Sequence, residues 1–483
     1  MLQPSAPCFR RGSGANQTVR TKNTMAIIPS KWVALLGSAI IATGTLCAQS
    51  VPATDGNKLL LDTLVKKGYL TQQEADQIGQ ESAGGSAASG GKVIVGSYLK
   101  DLKISGDVRL RFEDRGATQA GTADNVGLDR LRYRFRLGLI GDLSDTLSFG
   151  LRLDTNSNDR SSNVTFGTNN TTGYGPWSKG DAGIYLNQIY VTYKPGDWTF
   201  TGGRMPLPLT TTNLVWYQDM SPEGLNEQYK GSAGALDYRV NLAQFIYGSP
   251  AFNDSFGATA SSRNIWMLAW QTSLKYNLSK TDFVQVSPVL YNYVNASQGT
   301  TSGAANPAPF TGVFTAAAGQ QQAVNDLSIL EVPFEYDTMA FGPTLVRFFG
   351  DVGYNFDAKG RANRYGRPDL SGQDLAYQIG VQYGKAAKAG EWDAKAYWQQ
   401  IDLFALDPNL VDPDIADSLT NLKGWAVNGN YYLTNSTFIG STISAATRAN
   451  NTVGTGGLSQ DTKNAGVPLS RYWLYQLDLN VKF

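Results

Sequence analysis

The chain has 483 residues, 41 Lys plus Arg against 40 Asp plus Glu, no His, and two Cys, Cys8 and Cys47. It is too long for one ordinary small domain, and 42% apolar with 11% aromatic residues is too hydrophobic for a disordered chain. Near-neutral charge argues against a nucleic-acid partner. The missing His removes Ser-His and Cys-His nucleophile pairs, HExxH zinc sites and imidazole acid–base chemistry, so an enzyme is not expected and no cofactor is implied.

Trp32–Leu46 is one mainly apolar run preceded by Lys31 and followed by Cys47-Ala48. It is shorter than the ~20 residues a membrane-spanning helix needs. A positive flank, an apolar core and a small residue at the cut predict a signal peptide over 1–48, cleaved after Ala48. Met25 is a second candidate start. Both cysteines and five basic residues leave with this leader. The mature chain then carries 36 basic and 40 acidic residues and no thiol. No later stretch is apolar enough for a spanning helix, which leaves a secreted soluble protein or a transmembrane β-barrel.

Residues 49–83 read as a small periplasmic helical hairpin. Leu59, Leu60, Leu64 and Val65 mark its first helix, Gly68 the cap, and Thr71-Gln72-Gln73-Glu74 a capping box for the second. Its role is either a spacer or a docking element. A Gly/Ser-rich linker over 84–101 includes GGSAASGG at 84–91.

From 102 onward the hydrophobic period becomes two. Val108, Leu110 and Phe112 alternate with Arg109, Arg111 and Glu113; Leu131, Tyr133, Phe135 and Leu137 alternate with Arg130, Arg132, Arg134 and Arg136. Such strands have one apolar and one polar face. Sixteen segments are expected: 102–115, 129–141, 147–155, 184–194, 198–204, 223–230, 235–247, 264–278, 282–293, 327–337, 343–356, 374–383, 391–402, 421–433, 437–447 and 470–483. Their connections alternate between short turns and loops of thirteen residues (116–128) or more. A soluble sandwich has no reason to sort its loops this way. An outer-membrane barrel does, with short periplasmic turns, long outer loops and an even strand count. The expected fold is an all-β transmembrane antiparallel barrel over 102–483. Tyr190, Tyr193, Trp198, Tyr431 and Tyr432 lie near strand ends, as interface girdles do.

The last strand places Trp473, Tyr475, Leu477, Leu479, Val481 and Phe483 on one apolar face. Ending on an aromatic resembles the C-terminal assembly signal of outer-membrane barrels. ISGDVRLRFEDR (104–115), LDRLRYRFRLGLIGDLSDTLSFGLRLDT (128–155), LNQIYVTYKPGDWTFTGGR (186–204) and LVWYQDMSPEGL (214–225) resemble the bacterial putative porin family, within the outer-membrane porin superfamily. LLLDTLVKKGYLTQQEADQI (59–78) resembles the helical segment before the barrel in that family. Recognisable wording covers about the first third of the mature chain; beyond it the match is strand rhythm.

The resemblance implies a passive channel in the outer membrane of a Gram-negative-type bacterium. It implies outer-membrane lipid and lipopolysaccharide as surroundings, the barrel-assembly machinery as a folding partner, and a homotrimer by analogy with sixteen-stranded porins. If the apolar faces meet lipid, Arg109, Arg111, Arg132, Arg134, Arg136 and Arg152 face the lumen. The third long loop, 205–222, contains Asp219, with Glu223 just after it. Folded inward, it would set a negative group against a positive ladder and create a transverse field. The alternative is a structural network in which these Arg residues pair with Asp107, Glu113 and Asp154. Asp154–Asn158 begins like a calcium loop, but Asp159 and Thr165 stand where Gly and Glu are needed, so no metal is expected. Two functions remain open: a general diffusion porin, or an anion-preferring channel that uses the ladder as a binding track. A lipase-like enzyme or a soluble adhesin is the outside reading.

Overall fold

The computed structural model describes residues 98–119, 125–156, 161–167, 183–248, 264–294, 326–457 and 469–483. The expected signal peptide, helical hairpin and nearly all of the linker lie outside them.

Nineteen described segments share one antiparallel sheet. Val164–Thr165 is a two-residue pairing within a loop, and two spans are each interrupted by a proline. The result is a closed sixteen-stranded barrel. In chain order the strands are β1 (Asp101–Gln119), β2 (Asn125–Asp142), β3 (Leu147–Asn156), β4 (Gly183–Tyr193), β5 (Trp198–Arg204), β6 (Glu223–Ala233), β7 (Leu236–Gly248) and β8 (Ile265–Asn277). They continue as β9 (Phe283–Val286 and Val289–Val294), β10 (Ser328–Glu331 and Phe334–Thr338), β11 (Val346–Asn355), β12 (Leu375–Tyr383), β13 (Trp392–Ile401), β14 (Leu422–Tyr432), β15 (Thr437–Arg448) and β16 (Leu469–Lys482). Among the described residues no helix is long and apolar enough to cross a membrane.

The breaks in β9 and β10 fall at Pro288 and Pro333, whose missing N–H groups interrupt the ladder. Ser287 N donates to the Pro333 carbonyl at 3.0 Å and Thr272 N to the Pro288 carbonyl at 3.1 Å, so the sheet continues past both.

Closure comes from β1 pairing with β16 as well as β2, from Asp107 opposite Lys482 to Gln119 opposite Leu469. Gly106 N donates to the Phe483 carbonyl at 2.9 Å, and Phe483 N returns to the Gly106 carbonyl at 3.1 Å. The Phe483 ring covers Gly106 and the Trp473 ring covers Gly116; a Cβ at either glycine would overlap the ring. Aromatic side chains over strand glycines pin register.

Side-chain parity follows the pleat. Leu110, Leu131, Leu225, Leu242, Trp270, Ile379, Val381, Trp398, Trp425 and Leu479 are exposed on the outside, where a hydrocarbon environment suits them. Near the short-turn rim, Tyr193, Phe200, Trp198, Tyr229 and Tyr238 form a run of ring contacts with centroids 5.0–6.5 Å apart. Tyr190 and Tyr432, grouped with the girdle by sequence, point inward instead. Tyr190 packs against the interior cluster, and buried Tyr432 stacks on Phe438 at 4.8 Å. Alternation forbids Tyr431 and Tyr432 from sharing a face. The first long loop is also shorter than expected. Pairing continues through Gly116–Gly127 to Thr118–Asn125, within the span expected to be loop.

Deleting Phe483 removes the terminal backbone bonds and the ring over Gly106. The expected outcome is less heat-modifiable barrel in the membrane fraction, read by gel mobility. Unchanged mobility and abundance would contradict this role.

Candidate functional site: the barrel interior and its two inward loops

Arg109 and Arg111 lie on β1, Arg132, Arg134 and Arg136 on β2, and Arg152 on β3. All have the inward parity. Register sets Arg109 opposite Arg134 and Arg111 opposite Arg132. Like charges directly opposite on a sheet repel, so carboxylates interleave them. Arg111 grips Asp478 of β16 bidentately at 2.7 and 2.8 Å. Arg109 donates to Asn480 at 2.9 Å and lies 3.5 Å from Asp478. Asp107 accepts from Arg134 at 2.7 Å and Arg136 at 2.6 Å. Arg152 holds Asp154 at 2.9 Å. Fully buried Glu113 is surrounded by Arg115 at 2.9 Å, Arg132 at 3.6 Å, Arg111 at 3.9 Å and Arg130 in direct contact. The ladder is therefore a compensated network. Arg111, Arg132 and Arg134 are at most 8% exposed, whereas Arg109, Arg136 and Arg152 keep 19–23% and are the three able to meet lumen water.

The loop between β5 and β6, residues 205–222 (L3), folds inward. Buried Met205, Leu209, Leu214, Val215 and Trp216 pack against Phe245, Met267 and Tyr291 on the inner face of β7–β9. Burying each such side chain contributes about 1.5–3 kcal/mol. Polar ties fix the tip. Thr210 exchanges bonds with Gln271, N to Oε1 at 2.8 Å and Nε2 to its carbonyl at 2.7 Å. The Thr211 hydroxyl contacts the Glu331 carboxylate, which also accepts from Tyr291 at 2.6 Å. The Thr212 hydroxyl donates to Asp351 at 2.6 Å. On its return the loop presents Asp219 to the ladder. Asp219 lies 3.3 Å from Arg136 and accepts from Ser162 at 3.0 Å and Tyr217 at 3.2 Å. Burial alone would raise its carboxyl, but the Arg134, Arg136 and Arg109 guanidiniums and the Ser162 hydroxyl pull it down to about 2. L3 thus bridges β2 on one side and β8–β11 on the other.

Glu223 is placed differently. It has the parity of exposed Leu225 and pairs with Arg204 at 3.3 Å, away from the ladder. The backbone there is irregular: Gly203 and Gly224 are register partners, with φ of 122° and 148°.

A second inward loop was not anticipated. Residues 402–421 (L7), between β13 and β14, are almost wholly buried. Leu406, Leu410 and Val411 join the L3 cluster, and the Leu410 carbonyl accepts from Tyr217 N at 2.8 Å. Asp407 accepts from Tyr247 and Tyr293 hydroxyls at 2.8 and 2.7 Å. Across the barrel, Asp414 accepts from Gln476 at 3.1 Å and Asp417 meets Arg115 at 3.4 Å. Asp417, Ser418 and Asn421 all have positive φ, a costly conformation held here by burial and bonds such as Asn421 Nδ2 to the Gly454 carbonyl at 2.8 Å. L7 contacts strand ends on the long-loop side, so it lies above L3. Asp412 caps the one-turn helix Pro413–Ala416 by accepting from Asp414 N at 2.7 Å. Burial, then repulsion from Asp414, push its carboxyl up to about 8.

The interior of a closed sixteen-stranded barrel, lined with charge and narrowed by inward loops, defines a porin-type channel fold. A family model described as "Putative porin" matches residues 113–322 and 314–483; the chain belongs to that family. Curated protein sequences returned no match. Solved structures similar to this chain include a mutant Rh. blastica porin (9% identity, 79% of this chain and 100% of that one, TM-score 0.39). They also include Salmonella typhi OmpF in complex with daunomycin (9%, 80% and 99%, 0.42) and Pseudomonas putida OprB at high pH (11%, 79% and 94%, 0.44).

Asp412 supplies a pH test. Its folded pKa stands above the ordinary 3.8, so folding takes up a proton between these values. Stability falls as pH rises through that window. Asp412→Asn keeps the cap oxygen and removes the charge. The variant should unfold at a higher temperature than wild type above about pH 8, with the gap closing towards about pH 4. A pH-independent difference in thermal melts would contradict this.

Proposed function

We propose that the protein is an outer-membrane channel for passive diffusion of small hydrophilic solutes and ions. The supporting observation is the barrel interior: its strands carry hydrogen-bonded charge inward and apolar side chains outward, and L3 is packed and bonded at mid-height as a fixed constriction. Fixed charges in a narrow aqueous path filter by size and field. Because each ladder Arg has a carboxylate partner, weak overall ion selectivity is the favoured outcome. The reading includes a homotrimer in lipid with lipopolysaccharide around it, and β16 with its terminal Phe483 as the segment offered to the assembly machinery.

Liposome swelling tests the diffusion claim. Purified protein should admit small neutral sugars at rates that fall steeply with solute size. Swelling no faster than protein-free liposomes for the smallest sugar would refute it.

A further inference from the structure

Below L3, on the short-turn side, the inner wall of β6–β9 carries cations of a different kind. Lys230 of β6 and Arg239 of β7 are register partners, so two like charges face each other directly. Lys275 of β8 sits opposite Asp237 on one side and Gln285 on the other. The ladder on β1–β3 has the same like-charge pairings, yet carboxylates there interleave them. Here, among the described residues, no carboxylate lies within 4.0 Å of Lys230, Arg239 or Lys275. Asp237, which accepts from Ser232 at 2.7 Å and Asn277 at 2.8 Å, and Glu335, which pairs with Arg347 at 3.2 Å, act on Lys275 only from beyond that distance.

Arg239 and Lys275 are held in place by uncharged groups. Arg239 reaches the Thr210 hydroxyl of L3 and lies 3.5 Å from Ser273 Oγ, while its Nε is buried without a partner. Lys275 Nζ stands 3.9 Å over the Phe283 ring. Lys230, Arg239, Lys275, Thr210, Ser273 and Gln285 line one cavity of about 560 Å³ together with Asp197 and Asp237, so cations outnumber carboxylates there. Adjacent like charges with no carboxylate in ion-pair contact raise the energy of the empty site. An oxyanion would relieve that repulsion through charge-assisted bonds.

We propose that this cavity is a binding subsite for small polyanionic solutes bearing carboxylate or phosphate groups, held by Lys230, Arg239 and Lys275. It rests on the channel reading above and moves any anion preference from the predicted ladder to the opposite wall. The preference comes from cations with no carboxylate in ion-pair contact, not from the number of Arg residues.

The test titrates citrate, and separately inorganic phosphate, against wild type and Lys230→Gln/Arg239→Gln/Lys275→Gln. Single-channel current in planar bilayers should be interrupted by at least one of the two anions. The triple variant should need about tenfold more of it, the loss expected from removing charge-assisted bonds. Heat-modifiable mobility checks folding. Lys275→Gln alone, which gives up only the ammonium over the Phe283 ring, covers failure of the triple variant. Calorimetric titration of citrate or phosphate into detergent-folded protein reads the subsite even if the barrel does not conduct, which separates failure of this proposal from failure of the channel reading. Which anion binds distinguishes a carboxylate from a phosphate subsite. Equal half-blocking concentrations and equal heats in wild type and variants, or no response to either anion in wild type, would overturn the proposal.

Discussion

Backbone hydrogen bonding in a medium without water governs this structure. A sheet in hydrocarbon must leave no N–H or C=O unpaired, and only closure achieves that. Closure here is the β1–β16 ladder, which joins residues more than 360 positions apart, such as Arg111 and Asp478. It also fixes parity. Once one strand's apolar face meets lipid, every neighbour's polar face must turn inward, because a one-residue slip would invert a whole strand. Asp478 reaches Arg111 because the seam holds that register, so the electrostatics of the interior depend on closure.

The interior resolves its charge by two routes. On the β1–β3 side, guanidiniums and carboxylates alternate across strands, and Asp219 of L3 completes the set. On the β7–β9 side, apolar residues pack under L3 and L7 like the core of a soluble domain. A barrel wall that is wet on one flank and dry on the other gives the loops a fixed seat. L3 is held at both ends of its path, by Gln271, Glu331 and Asp351 at the tip and by Arg136 on the return. On the short-turn side, among the described residues, lie cations that have no carboxylate in ion-pair contact.

Much of this was legible in the sequence. The period-two rhythm and short turns located sixteen spans, because alternation and turn chemistry are local. Parity placed the Arg residues inward for the same reason. Their compensation was only half legible: Asp107, Glu113 and Asp154 are near in sequence, but Asp478 arrives through closure. L7 was missed although its Leu403, Phe404, Leu406, Leu410 and Val411 carry the same signal as L3, apolar residues in a loop too hydrophobic to be wholly solvated. The inward turn of Tyr190 and Tyr432 could have been read by counting parity from Tyr193 and Tyr431. The outward turn of Glu223 could have been read in the same way, by counting parity from Leu225.

The central claim is that the narrowed interior conducts. Single-channel recording in asymmetric salt tests it most directly, reading conductance and reversal potential together. A conducting interior with a compensated ladder predicts discrete, ohmic steps and a small reversal potential, of anion-preferring sign where the Lys230, Arg239 and Lys275 cluster contributes. A protein that folds to the heat-modifiable barrel yet never opens a conductance would contradict it.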